Sequence, residues 1–403
     1  MVIAEYFPPT VGGASTRAYN VVKGLLAMGH RIVVITAFPD DIPKNESQIY
    51  SYPFLVFSIG QQLNVIRVWM PPLSDTGFAR RLVLFLSFCI SALFTLPIVG
   101  KIDVVWAANP NFFSMGPAVI YGLFRGAPIV RDVGDLWPEV IYDLGYMSSA
   151  LVRRLLNIVS KIMYIFPKAI TPISESQKEY IKSHYNIPET KIFVIENGVD
   201  VSLFHPEKVD PNFYGEGFIV MYSGVLGVVY DFDVILEAAR NLLSYDEIRF
   251  VIRGFGECQR EIEEKIMEYQ LTNVFLDTRV VDEDILNIVL NSAKVFVLPM
   301  KPIESTEMGL PTKVFEYQAL GKPIICCSNG EPGRYINLTS SGLVTKAGDS
   351  KALADAILRL YEDRELQLKL GMNGLKYVSE NVTCEKIGFR MYEIFKRVKH
   401  GCS

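Results

Sequence analysis

Short apolar runs alternate with longer stretches of helical periodicity almost from one end of the chain to the other. That alternation predicts an α/β protein, parallel sheets covered by helices on both faces. In the first half the strand-like runs fall at residues 2–6, 31–36, 103–107, 128–132 and 169–172. The rhythm then restarts, with strands at 218–223, 249–253, 273–276, 294–299 and 324–327, and helices from about Asp231, over 258–269 and over 282–292. Between the halves, 197–217 is polar, carries His205-Pro206 and glycines, and reads as the break between two doubly wound units.

Two segments depart from this rhythm. Residues 82–99 carry no charge, flanked by Arg80-Arg81 on one side and, after Gly100, by Lys101 on the other. The run reaches the lower limit for a transmembrane helix. It lies between strands assigned to one sheet, however, and a single crossing would part that sheet across the bilayer. Two readings remain, a buried covering helix and a helix lying in a membrane interface. In 150–168, Leu151, Leu155, Ile158, Val159, Ile162 and Phe166 form one stripe at helical spacing, while Arg153, Arg154 and Lys161 face elsewhere. A sheet-covering helix with a solvated basic face is the ordinary reading; docking on anionic lipid is the other.

The chain has 403 residues, more than one ordinary core organises, and with 50% apolar and 21% charged residues it can bury two. The net charge of −4 provides no broad basic field and so excludes nucleic acid as a partner. Cys89, Cys258, Cys326, Cys327, Cys384 and Cys402 show no paired spacing, and His30, His184, His205 and His400 are scattered. This pattern predicts reduced thiols of a cytoplasmic protein and no zinc site. Met1 leads directly into an apolar strand and Pro8-Pro9, so no signal peptide is expected.

The candidate chemistry is densest in GLPTKVFEYQALGKPII, residues 309–325. A Gly-Pro loop follows the strand at 294–299, and a helix starts near Thr312. Gly321 sits past its end and Pro323 blocks continuation. Lys313 and Glu316 share one face of that helix at the loop end of a βαβ unit, where open α/β sheets bind ligands. A cation beside a helix N-terminus suits a phosphate, and a carboxylate one turn on suits a pair of sugar hydroxyls. An exposed Lys-Glu helix pair is the plain alternative.

Other loops are weaker signals. Gly12-Gly13 follow the first strand and precede a helix from about Ser15, which would bring backbone amides to an anion; a tight turn explains the pair equally well. Gly254 opens GFGE after another strand, with the same two readings. RDVGDLWPE packs Asp132, Asp135, Trp137 and Glu139 at a strand's carboxyl end. The carboxylates could hold substrate hydroxyls with Trp137 under a sugar ring, or Asp135 could cap a helix with Trp137 in the core.

Taken together, EYFPPTVGGAS, RDVGDLWPE, ITPISESQKEYI, FVIENGVDVSLF, YSGVLG, FVIRGFGE and GLPTKVFEYQALGKPII resemble, in order, the retaining glycosyltransferases of the GT-B fold, family four, in the branch that acts on lipid-linked glycans. The resemblance implies two Rossmann-like domains facing across a cleft, an acceptor domain at 1–205 and a nucleotide-sugar domain at 206–380. The segment 381–403 would hold a helix over 385–399 that crosses back to the first domain. Glu316 matches the second of the family's two glutamates, implying ribose binding, whereas Met308 stands at the first. The resemblance then leaves the sugar hydroxyls to the amides of Gly309 and Leu310, or to Glu304 or Glu307. The loop after the first strand of the second domain begins at Gly224 and lacks the family's cations, so the diphosphate falls to Lys313, helped by Arg253 and the helix start at Thr312.

The implied reaction needs no metal and no cofactor. Lys313 would meet charge on the leaving phosphate, a phosphate oxygen would take the acceptor proton, and Asp135 and Glu139 would orient the acceptor hydroxyl. Partners implied are a nucleotide-diphosphate sugar and a lipid-linked or glycan acceptor, with peripheral contact at the cytoplasmic face of a membrane. A nucleotide-sugar epimerase or hydrolase, or a non-catalytic nucleotide-sugar-binding protein, would keep the same domains.

Overall fold

The computed structural model describes residues 1–38, 54–59, 61–71, 78–108, 114–147, 149–207 and 213–401. Part of the expected break at 197–217 and Cys402 lie outside these residues. The chain divides into two compact units, Met1–Asn197 with Cys384–Ser403, and Gly198–Thr383.

The first unit runs β1 (Val2–Ile3), α1 (Gly13–Ala27), β2 (Ile32–Ala37), β3 (Phe54–Ile59), β4 (Leu63–Val68), α2 (Phe78–Leu93), β5 (Val105–Ala107), α3 (Met115–Arg125), β6 (Ile129–Val133), α4 (Glu139–Asp143), α5 (Ala150–Ile165), β7 (Ala169–Pro172) and α6 (Glu175–Tyr185). Its strands lie in the order β3-β4-β2-β1-β5-β6-β7, all parallel except β3. The order reverses between β1's neighbours β2 and β5, so the loop after β1 opens at the switch point. There β1 is shorter than the pattern of 2–6 predicts, although its backbone stays bonded to β2 as far as Glu5, through Ala4 N to Ile35 O and Ala37 N to Glu5 O.

The second unit continues with β8 (Phe218–Ser223), α7 (Phe232–Asn241), β9 (Ile248–Arg253), α8 (Gln259–Glu268), β10 (Val274–Asp277), α9 (Glu283–Asn291), β11 (Val295–Pro299), α10 (Glu304–Glu307), α11 (Thr312–Ala319), β12 (Ile324–Cys327), α12 (Glu331–Thr339), β13 (Gly342–Thr345), α13 (Ser350–Glu362) and α14 (Arg364–Asn381). Its sheet is wholly parallel in the order β10-β9-β8-β11-β12-β13, and reverses between β8 and β11. The central strands β11 and β12 are buried on both faces, as the continuous apolar runs VFVLP and IICC require, whereas the edge strands β10 and β13 are only partly buried. Helix starts are fixed locally: the Asp231, Asp349 and Asp363 carboxylates accept from Val234 N, Ala352 N and Leu366 N.

The last helix, α15 (Cys384–His400), packs on α1 in the first unit. The two backbones meet at glycines. A Cβ on Gly388 would lie 2.6 Å from Gly24 Cα, closer than side-chain carbons approach.

Two expectations for the apolar segments fail. The run 82–99 is not one helix: α2 ends at Leu93 and turns follow through Ile98. Pro97 disfavours helix at the residue before it, and Arg125 donates to the carbonyls of Leu96 and Val99 at 2.6 Å, so those carbonyls are satisfied outside a helix. No helix among the described residues is long and apolar enough to cross a membrane. The second failure is in α5, whose apolar stripe does not cover the sheet. Leu151 is 69% exposed and Ile162 58%, and Leu155, Ile158 and Phe166 are also exposed, whereas Ser160 and Tyr164 face inward.

Replacing Gly388 with Val is expected to lower the denaturant midpoint by an amount corresponding to about 1–3 kcal/mol, the usual cost of overpacking. Gly116→Ala, at a helical glycine with open space around it, serves as the near-neutral control. Equal midpoints for Gly388→Val and wild type would show that the helix contact is not under constraint.

Candidate active site

The switch point of the second unit is built by backbone packed on backbone. Gly224, after β8, and Gly254, after β9, take φ of 143° and 135°, which L side chains rarely adopt. Gly224 N donates to Arg253 O at 3.0 Å, Gly254 N to Asp277 O at 2.9 Å and Leu226 N to Phe255 O at 2.9 Å. The parallel ladder therefore runs on past the strand ends. A Cβ on Gly254 would collide with Gly224 O, so the glycine serves contact between loops. The expectation that Gly254 offers its amide to a ligand is corrected, because that amide is already bonded to Asp277 O.

Beside these loops lies Lys313, in the first turn of α11 and only 7% exposed. Its Nζ donates to Tyr222 Oη at 3.1 Å and sits 4.0 Å from the centroid of the Tyr230 ring. A Cβ at position 224 would come within 2.8 Å of that Nζ, so glycine there leaves the room the ammonium occupies. No carboxylate lies within ion-pairing distance of Lys313 among the described residues. A buried ammonium held by a hydroxyl and ring faces retains capacity for an anion. The helix start is pinned from behind: Tyr317 Oη donates to Ser223 O at 2.7 Å, accepts from Ser223 N at 2.9 Å, and its ring stacks on Phe296 at 3.8 Å.

Glu316 lies one turn into α11 and is half-buried. Burial pushes its carboxyl pKa up to about 7, with Lys313 pulling the other way. Its carboxylate makes no hydrogen bond among the described residues. Thr312 opens the helix and is half-buried, with Pro311 preceding it.

The neighbouring candidates divide. Arg253 is 5% exposed and donates to Asp277 at 2.7 Å and to Arg279 O at 2.9 Å. Asp277 also receives Tyr214 and Arg279, and although burial pushes its pKa up, these partners hold it well below the usual range. Arg253 is thus committed to an internal ion pair, which corrects its expected help with a diphosphate. Glu307 accepts from Ser328 Oγ at 3.0 Å and Asn329 N at 3.1 Å, fastening the turn before α12. Gly309 N donates to Thr306 O, and Leu310 is 2% exposed. Glu307 and the Gly309 amide are therefore not available to sugar hydroxyls as expected. Glu304, exposed at the start of α10, remains the candidate carboxylate there.

In the first unit Gly12 and Gly13 open α1 at the switch point, with φ 140° at Gly12 and open space around it. Among the described residues, no side chain caps this helix and buried Ser15 Oγ has no hydrogen-bond partner. Asp135 is exposed in the turn after β6 and caps no helix. Leu136 takes the core position instead, and half-buried Trp137 meets Phe85 edge-on at 6.0 Å. Asp132, by contrast, is sealed: Arg17 donates to it through Nε at 2.7 Å and Nη2 at 2.6 Å, and Thr171 Oγ1 adds a third bond. Glu139 accepts from Tyr180 at 3.2 Å and from Tyr185 at shorter range, both at Oε1, while its buried Oε2 has no hydrogen-bond partner among the described residues. Arg17, Tyr222 and Tyr230 were not singled out in the sequence. The aromatic residues flanking SGVLG were the available signal.

A doubly wound unit with a buried cation at its switch point is a site for an anionic ligand. Comparison with known proteins supplies the family. Residues 11–203 match Glycosyltransferase Family 4, and 205–377 match Glycosyl transferases group 1. An uncharacterized glycosyltransferase of Methanocaldococcus jannaschii is 23% identical, with 98% of this chain and 97% of that one covered. Among solved structures, sucrose-phosphate synthase from Thermosynechococcus elongatus superposes with a TM-score of 0.79 at 17% identity, covering 99% and 98% of the two chains. HepE of Anabaena, in complex with UDP-glucose, gives 0.71 at 14% identity, covering 98% and 99%. The chain belongs to the group 1 glycosyltransferases, with the GT-B fold, and is an enzyme of sugar transfer.

Glu316 makes stability depend on pH. Folded, the carboxyl keeps its proton to about pH 7; unfolded, it releases it near 4.5. The folded state therefore binds more protons inside that window, and stability falls as pH rises through it. Subtracting the pH profile of Glu316→Gln from that of wild type should leave a loss on the order of 1–3 kcal/mol between pH 4.5 and 7.5. Parallel melting-temperature profiles for the two proteins would contradict the burial of this carboxyl.

Proposed function

We propose that the enzyme moves a sugar, with retention, from a nucleotide-diphosphate sugar to an acceptor hydroxyl without a metal. The observation that carries the reading is the buried Lys313 ammonium at the β8/β11 switch point, bonded only to the Tyr222 hydroxyl among the described residues. The donor diphosphate completes its coordination, and the ribose hydroxyls donate to Glu316 one turn on. Glu304 meets the sugar. As the glycosidic bond lengthens, negative charge accumulates on the leaving phosphate beside a cation that is already desolvated and in place, so little reorganisation opposes the reaction. A phosphate oxygen takes the proton of the acceptor hydroxyl on the face the phosphate leaves, and Asp135 orients that hydroxyl. The UDP-glucose bound by HepE supports the donor class.

For the acceptor we propose a lipid-linked glycan, reached by peripheral contact at the cytoplasmic face of a membrane. The exposed apolar faces of α2 and α5 support that contact. An enzyme that only hydrolysed or epimerised its donor would have no use for them.

Lys313→Ala should lower turnover on the order of 100- to 1000-fold, the usual cost of losing one donor to developing charge. Glu316→Gln should mainly raise the donor Michaelis constant, because hydroxyls unchanged in the reaction contribute uniform binding. Steady-state kinetics after circular dichroism decides the point, and near-normal turnover in Lys313→Ala would place the phosphate elsewhere. Since Lys313 supplies the positive charge, transfer should also proceed in EDTA. Complete loss that manganese or magnesium restores would overturn the metal-free reading.

A further inference from the structure

Helix α5 is amphipathic with its apolar side outward. Leu151, Leu155, Ile158, Ile162 and Phe166 form the exposed stripe, and Arg154 and Lys161 border it one helix face away, at the i and i+7 positions around Ile158. Other elements of the first unit expose apolar side chains as well. Val83, Leu86 and Ile90 of α2, Phe94 in the turn that follows it, and Leu123 and Phe124 at the end of α3 are all exposed, Phe124 at 73%. The helices α2, α3 and α5 contain no Asp or Glu, and their charged residues are Arg80, Arg81, Arg125, Arg153, Arg154 and Lys161. In a chain of net charge −4, these three helices carry charge of one sign.

Between α5 and α6 the stripe borders a recess of about 510 Å³, lined by Arg153, Arg154, Lys161, His184 and Tyr185 among others and by no carboxylate. Arg153 is held in place: it donates to Met147 O through Nε at 2.8 Å and Nη2 at 2.6 Å, with its guanidinium 4.8 Å from the Tyr142 ring centroid. Neither Arg154 nor Lys161 has an ion-pair partner among the described residues. On the α6 wall, His184 stacks on Tyr180 at 4.8 Å, and the Tyr180 and Tyr185 hydroxyls both bond to Glu139 Oε1.

We propose that this recess binds the phosphate of an anionic phospholipid head group while the adjoining stripe enters the acyl boundary of the same leaflet. The inference deepens, and rests on, the peripheral membrane contact proposed above, and it assigns that contact its lipid chemistry and its residues. Guanidinium and ammonium groups without carboxylate partners suit a phosphate diester, and apolar residues at the rim suit the chains attached to it. The absence of acidic residues on all three helices removes the repulsion that an anionic surface would otherwise meet.

Flotation of the full chain tests it, with neutral phosphatidylcholine vesicles and with vesicles containing anionic phosphatidylglycerol, at low and high salt. Wild type should float with the anionic vesicles and be released by salt. In R154A/K161A partitioning should fall about 30-fold, from roughly 1 kcal/mol for each basic residue near the surface. The thermal shift with UDP should be unchanged in that variant, which shows it folded. L155S/I162S should lose flotation on both vesicles. Equal flotation of wild type and R154A/K161A on neutral and anionic vesicles would overturn the head-group site and leave membrane contact standing. No flotation on either vesicle would remove both. Displacement by millimolar glycerol phosphate would assign the recess to a soluble phosphate instead. A dimer in light scattering that L155S/I162S abolishes, without vesicle binding, would assign the stripe to a second copy of the chain.

Discussion

A charge kept out of water without a countercharge is the constraint on which the second unit is organised. Removing an ammonium from solvent costs several kcal/mol, and the Tyr222 hydroxyl and the Tyr230 ring face repay only part of that. The cost is tolerable because the surroundings are rigid and crowded. Gly224 leaves the space for Nζ, Gly254 lets its loop lie against Gly224, and Tyr317 ties the start of α11 to the end of β8. Each feature is a backbone or ring contact that cannot supply the lysine with a countercharge.

The carboxylates show the reverse arrangement. Asp132, Asp277 and Glu307 all lie near strand ends, where ligands bind, yet each is taken up by the protein's own donors. Asp132 is the strongest case, since Arg17 also donates to Ile195 O and Glu196 O and so fastens the end of the first unit's chain to β6. Internal pairing of this kind orders loops that contain few apolar contacts. It also leaves Glu316, with no hydrogen bond of its own, as the carboxylate beside Lys313 fit to receive hydroxyls.

In the first unit a different physical choice was made with apolar residues. The helix α5 spends its small and polar residues on the inside, around Ser160 and Tyr164, and turns its leucines and isoleucines outward. Such a face persists only if something other than water covers it in use. The proposed lipid-linked acceptor and the exposed apolar surface would be parts of one account.

The sequence alone determined the alternation of strands and helices, the two doubly wound units, and the strands at 169–172, 218–223 and 324–327 to the residue, because buried parallel strands are apolar runs and their turns need Gly, Pro or Asp at fixed places. It also marked Lys313 and Glu316, whose spacing on a helix start is a local property. Strands β3, β4 and β13 did not register: β4 is interrupted by Asn64 and Arg67 and β13 is only four residues long, whereas β3 is the apolar run FLVFSI between Pro53 and Gly60 and was legible. What only the tertiary structure decided was which partners distant residues meet. Arg253 and Glu307 are ligand-like in sequence and bonded internally in space. Arg17 looks like a surface residue of α1 and is buried against Asp132, 115 positions away. The direction of α5 belongs here too, for periodicity defines a stripe without saying whether the sheet or the surroundings receives it, and only packing against a particular neighbour settles that.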